Sequence, residues 1–153
     1  MKINYLVIPL ITIFISVFGN WLTSGGMDWY RTINLPEWTP PGSFIGAMWT
    51  VIYILTAISA VIVWNTFPRD GRFSAILWLF LANAFFNVLW SYIFFNQHLI
   101  GWATLEAVLL ALSVFGLIFL IWPISRITAS LLFLYAGWAR FATYVSYSVW
   151  LLN

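Results

Sequence analysis

Five runs of about twenty apolar residues, near 3–22, 43–65, 73–95, 100–121 and 127–152, leave this chain few ways to fold; the first three hold no charged residue. A helix rising about 1.5 Å per residue needs about 20 such residues to cross a hydrocarbon core about 30 Å thick. Lipid offers no partner to backbone polar groups, so each run must satisfy its own. The expected fold is all-α: one domain, 1–153, built as an integral membrane bundle of five transmembrane helices. With 63% of residues hydrophobic and 7% charged, the chain falls far below the roughly one-quarter charge of soluble domains. The first run follows Lys2 as a secretory signal would. It exceeds the usual apolar length, and Gly19-Asn20-Trp21 makes no small-x-small cleavage site, so it reads as a retained helix.

The breaks between runs carry Gly, Pro and polar residues, as expected where backbone meets water. They read "TSGGMDWYRTINLPEWTPPG", "FPRDGR", "NQH" and "WPISR"; only the first is long. Five spans place the termini on opposite sides. Lys2, Arg69, Arg72 and Arg126 then share one side and Arg31 the other, which predicts a cytoplasmic N-terminus and an outer first loop, in a plasma membrane. A net charge of +2 without clustered cations gives no nucleic-acid surface. Without cysteine there is no disulfide, thiolate site or cysteine nucleophile, and His98 alone builds no multi-histidine metal site.

Helical periodicity sorts the polar residues onto faces. Thr12, Ser16 and Asn20 in the first span, and Ala103, Ala107 and Ala111 in the fourth, recur every four residues and are expected to meet other helices. Asn83, Asn87, Trp90 and Ser91 share one face of the third span. Two readings stand: the amides bond neighbouring helices, or Asn87 and Trp90 line a cavity. The second span aligns Gly46, Trp49 and Tyr53, and the fifth aligns Tyr135, Trp138, Ala142 and Ser146. Counting turns puts Trp49 about 9 Å, Trp90 about 8 Å and Trp138 about 21 Å below the ends nearest the long loop, able to line one elongated pocket. The competing reading, an interfacial aromatic belt, suits Trp21, Trp29, Trp102 and Trp150 better than Trp138.

Glu106 and Arg140 are the ionisable residues inside spans, and such groups are functional candidates by default. An ion pair between them is one expectation. The others are that Arg140 meets a ligand carboxylate in the cavity, or that it reaches water along the helix.

Three stretches together carry a resemblance covering essentially the whole chain: "DWYRTINLPEWTPPGSFIGAMWTVIY", "FNVLWSYIFFNQHLIGWATLE" and "GWARFATYVSYSVWLLN". The first holds W-Y-x(n)-P-x-W-x-P-P followed by W-x-x-x-Y. With five spans, the sequence closely resembles the translocator protein family, also called tryptophan-rich sensory proteins or peripheral benzodiazepine receptors. The resemblance implies a five-helix bundle, often a homodimer, with the long first loop as a lid over a pocket. The pocket would take protoporphyrin IX, isoquinoline carboxamides and benzodiazepines. Carried onto this sequence, it comprises Tyr30, Pro41, Trp49, Tyr53, Asn87, Trp90, Trp138, Ala142 and Val145. Two departures stand out. The sterol pattern L/V-x-Y-x-K/R fails because "VSYSVWLLN" holds no Lys or Arg, which argues against tight cholesterol binding. Arg140 places a charge where the resemblance implies an apolar residue in many relatives.

The resemblance implies a receptor-like binding protein acting in porphyrin handling and stress response, with porphyrin as ligand or substrate and no required cofactor. Light- and oxygen-dependent degradation of bound protoporphyrin IX is a further implication, with Trp49, Trp90 and Trp138 as candidate participants. A transporter of porphyrin or another lipophile, and a ligand-sensing regulator of a membrane partner, are the alternatives. Neither an inverted repeat nor a broken mid-membrane helix supports transport. In the first loop, Pro36 and Pro40-Pro41 stiffen the chain and Pro41 launches the second span at a fixed φ, with Glu37 and Trp38 expected at the rim.

Overall fold

The computed structural model describes residues 3–153, in seven α-helices and one π-helical turn. Four stretches are long and apolar enough to cross a membrane: α1 (Asn4–Gly25), α3 (Gly42–Thr66), α4 (Gly71–Ser91) prolonged by the π turn Tyr92–Asn96, and α5 (Ile100–Ile121). The fifth long helix, α7 (Phe133–Leu152), is diluted by Gly137, Arg140, Thr143 and Ser146. Two short helices complete the set: α2 (Met27–Tyr30) inside the first loop and α6 (Arg126–Ser130) before α7. The chain is thus an integral membrane bundle of five long helices. Lys2, counted above for orientation, lies outside the described residues.

The fifth run is not one continuous helix. Thr128 O accepts from Ser59 Oγ on α3 at 3.3 Å, and the Leu132 amide turns to Ala129 O at 3.0 Å. A carbonyl drawn to another helix leaves the ladder, and the chain breaks at Leu131-Leu132. Side-chain caps mark two other starts: Asp70 accepts from the Phe73 amide at 2.9 Å for α4, and Ser125 from the Thr128 amide at 3.2 Å for α6.

Helix α5 is the most deeply buried and packs against both α4 and α7, while α1 leans on α3 and α4. Its Ala103, Ala107 and Ala111 face are buried, letting neighbouring backbones approach. At the end away from the first loop, Val63, Phe67, Ile76, Leu117, Ile121 and Leu132 close the bundle. Outward, Phe14, Trp78, Phe119 and Ile127 lie exposed, as lipid-facing side chains do.

At the lid end the first loop packs against the π turn and α7. Gly26 lets α1 pass into α2, since a Cβ there would collide with the Phe95 carbonyl. Trp29 stacks on His98, centroids 4.1 Å apart at 17°, and His98 itself takes a φ of 57° to turn the chain into α5. Farther along, Asn34 and Asn153 exchange bonds: the Asn34 amide donates to Asn153 Oδ1 at 2.9 Å, and Asn153 Nδ2 donates to Asn34 O at 2.9 Å. Asn34 Nδ2 adds a third bond, to Leu152 O at 3.2 Å. Trp38 then stacks on Tyr144 at 5.2 Å and 14°.

Candidate functional site

Between α1, α3, α4 and α7, beneath the lid, lies a cavity of about 1050 Å³. Its walls follow from the periodicity of each helix. α3 supplies Gly46, Trp49 and Tyr53; α4 supplies Asn87, Trp90 and Ser91; α7 supplies Trp138, Ala142 and Val145. Tyr30, Leu35, Pro36, Thr39 and Pro40 come from the lid, and Phe94 and Phe95 from the π turn. The three tryptophans that counting placed at different depths line this one space.

The ring contacts hold those tryptophans at fixed angles. Trp49 meets Tyr135 edge-on at 5.9 Å and 76°, Trp90 stacks on Phe94 at 4.9 Å and 14°, and Trp138 tilts against Phe141 at 5.3 Å. Offset-stacked and edge-on aromatic pairs of this kind add to simple contact. The indole N–H groups of Trp90 and Trp138 and the Thr39 hydroxyl are buried without a protein partner. Groups of this kind are costly unless an acceptor reaches them.

The deep polar wall is saturated instead. Tyr53 Oη donates to Asn87 Oδ1 at 3.4 Å, Asn87 Nδ2 to Tyr135 Oη at 2.6 Å, and Tyr135 Oη to Asn83 Oδ1 at 3.0 Å. Asn83 Nδ2 passes the series to Ser113 Oγ at 2.8 Å, which ends on Leu110 O at 2.6 Å. Both readings of the α4 amides therefore hold for Asn87, which bonds a neighbouring helix and lines the cavity, whereas Asn83 only bonds. At the lid, burial raises the Tyr30 phenol above its ordinary value of 10.0.

Every residue of the expected pocket lines the cavity except Pro41. Pro41 is the residue before α3, with φ −56° and ψ 144°, and its carbonyl accepts the amides of Phe44 and Ile45; Pro40 and Gly42 flank the cavity in its place. Trp38 and Glu37 also turn outward, Trp38 onto Tyr144. Ser16 and Asn20, expected to meet other helices, border the cavity, and Phe94 and Phe95 were not anticipated there at all. Their doublet stands beside the "NQH" break, in the π-helical turn Tyr92–Asn96.

Glu106 and Arg140 do not pair. Among the described residues the one ion pair is Arg31–Asp28 at 3.2 Å. Glu106 is 4% exposed, with both carboxylate oxygens lacking a partner, while Arg140 is exposed on the outer side of α7 and does not line the cavity. Two residues along a helix turn about 200°. Arg140 therefore points away once Trp138 points in.

The chain matches the TspO/MBR family over residues 6–151. It is 36% identical over 125 residues to the tryptophan-rich protein TspO of Bacillus cereus, covering 82% of this chain and 80% of the relative. A protein of the same name from Archaeoglobus fulgidus is 32% identical, with 100% of this chain and 99% of the relative covered. The human translocator protein is 27% identical over 126 residues, covering 82% and 75%.

Proposed function

The chain belongs to the TspO/MBR family, and on that footing we propose that it is a membrane receptor-like protein that binds protoporphyrin IX and flat, drug-like aromatics such as isoquinoline carboxamides and benzodiazepines. One observation carries the reading: three indoles from three helices line a single space of about 1050 Å³ under an anchored lid. Drug-sized and cofactor pockets occupy about 300–1000 Å³ and combine apolar walls with a few placed polar groups. Stacking on Trp49, Trp90 and Trp138 suits a planar macrocycle. The unpartnered N–H groups of Trp90 and Trp138 suit ligands with carboxylate or carbonyl acceptors.

Transport would require a second opening. The far end is packed by Val63, Ile76, Leu117 and Ile121, each at most 3% exposed, which favours holding a ligand over passing it through. The lid faces the outer side and the N-terminus the cytoplasm, in keeping with Arg69, Arg72 and Arg126 at the far end. Loss of bound porphyrin in light is a further consequence, with dioxygen as oxidant and the macrocycle carbons oxidised. Trp49 beside Tyr53 and Tyr135 supplies rings within 6 Å that can take up a radical.

The test is titration of the purified protein with protoporphyrin IX in the dark, following tryptophan quenching, then illumination in air while the porphyrin absorption bands are recorded. Saturable quenching at micromolar ligand is expected. Its absence would overturn binding and degradation together; quenching with unchanged bands in light would leave a binder alone.

A further inference from the structure

Arg140 has no role in the cavity and no carboxylate beside it. At about 1.5 Å per residue it lies about 18 Å from the lid-end terminus of α7 and about 10 Å from the helix's start at Phe133, beyond which stands α6, so it sits in the middle part of α7. A charged group in that position is costly, and it needs a counter-charge or a route to water. Snorkelling toward the nearer end of α7 is the competing outlet, and a carboxylate on a neighbouring helix is the other.

The face around Arg140 has the spacing of a helix-packing seam. Phe133, Gly137, Arg140, Tyr144, Tyr147 and Leu151 alternate at intervals of four and three residues, and all are exposed. Seams of that spacing are how two helices pack along their length. A Cβ at Gly137 would meet nothing within 4 Å, so the glycine leaves a notch one turn from the guanidinium. Small residues beside a polar side chain are the usual means of close helix approach in lipid.

A second copy of this chain cannot supply the counter-charge. Its acids are Asp28, Glu37 and Asp70, all outside the long helices, and Glu106, which is 4% exposed. Two copies meeting on this face would oppose arginine to arginine. We propose that the Gly137–Arg140–Tyr144 face docks a transmembrane helix of a different protein, one that carries an aspartate or glutamate near mid-span and pairs it with Arg140. The ligand cavity lies on the other side of α7, and the lid meets this face through Trp38, which stacks on Tyr144; Gly137 and Arg140 lie nearer the far end of the helix.

The full-length protein is labelled with a donor dye at Ser130→Cys, an exposed position near the seam in a chain without other cysteine. It is reconstituted in phosphatidylcholine vesicles, with and without phosphatidylglycerol, together with either an acceptor-labelled copy of itself or acceptor-labelled leucine–alanine peptides of about 24 residues carrying Asp, Asn or Leu at the centre. A central position makes peptide orientation immaterial. Energy transfer should report about tenfold tighter association for the Asp peptide than for the Leu peptide, with the preference lost in Arg140→Leu and largely kept in Arg140→Lys. Circular dichroism and the thermal unfolding midpoint of Arg140→Leu in detergent check that the bundle still folds. Equal transfer for all three peptides, or an Asp preference surviving Arg140→Leu, would overturn the proposal. So would loss of self-association in Arg140→Leu, which would assign the face to a second copy. An Arg140 effect seen only with anionic lipid, and alike for all peptides, would assign the charge to lipid and overturn it equally.

Discussion

Asn153→Ala isolates the lid from the rest of the bundle. The substitution removes two bonds across 119 residues of sequence, from the Asn34 amide to Asn153 Oδ1 and from Asn153 Nδ2 to Asn34 O, each 2.9 Å. A neutral intramolecular hydrogen bond contributes about 0.5–1.5 kcal/mol net, and both lie near the exposed surface, so the lid should lose about 1–2 kcal/mol of its hold. That corresponds to about 5- to 30-fold in the closed-to-open ratio. The change should appear in release, since related complexes differ mostly in dissociation rate. The assay is stopped-flow: tryptophan fluorescence recovered when protoporphyrin-loaded protein is mixed with excess apomyoglobin as a porphyrin trap. Asn34→Ala is the internal comparison, because it removes only the Nδ2 bond to Leu152 O at 3.2 Å and leaves the backbone pair intact. Release should be accelerated strongly by Asn153→Ala and weakly by Asn34→Ala. Equal rates in wild type and Asn153→Ala would refute the idea that the closed lid retains the ligand; equal effects of the two variants would refute the assignment to the backbone pair.

Gly26→Ala should lower porphyrin affinity while circular dichroism stays that of a full helical bundle, because the new methyl meets the Phe95 carbonyl and displaces the lid rather than the spans. Asn83→Leu takes the acceptor from the buried Tyr135 hydroxyl and one donor from Ser113 Oγ, which keeps its bond to Leu110 O, and thermal unfolding in detergent should register a loss of about 1–3 kcal/mol. Trp138→Phe keeps a ring against Phe141 but deletes the unpartnered N–H, so affinity for a carboxylate-bearing porphyrin should fall more than affinity for its methyl ester in the quenching titration.

Most of the bundle was legible because a span must be both long and apolar, and because 3.6-residue periodicity relates residues on one helix. Asn87, Trp90, Trp49, Tyr53, Trp138 and Ala142 were found that way, and they line the cavity. What periodicity withholds is the rotation of each helix against its neighbours. In water, apolar faces point inward; in lipid they point either way, and the usual signal vanishes. The lack of a partner for Glu106 depended on that rotation, whereas the 200° between Trp138 and Arg140 was already present in their spacing. Loop positions failed for another reason: proline identity fixes φ but not which side a residue presents, so Pro40 and Pro36 line the cavity and Pro41 does not. The break between α6 and α7 was hidden because one contact with Ser59, distant in sequence, creates it.

The bonds between Asn34 and Asn153 also bear on how the protein is made. A chain entering the membrane from its N-terminus exposes the first loop long before α7 is synthesised. Contacts spanning 119 residues form late, after the loop between them has closed. During assembly the emerging helices would leave their indoles open to the bilayer, so that the cavity acquires its cover only once α7 is in place.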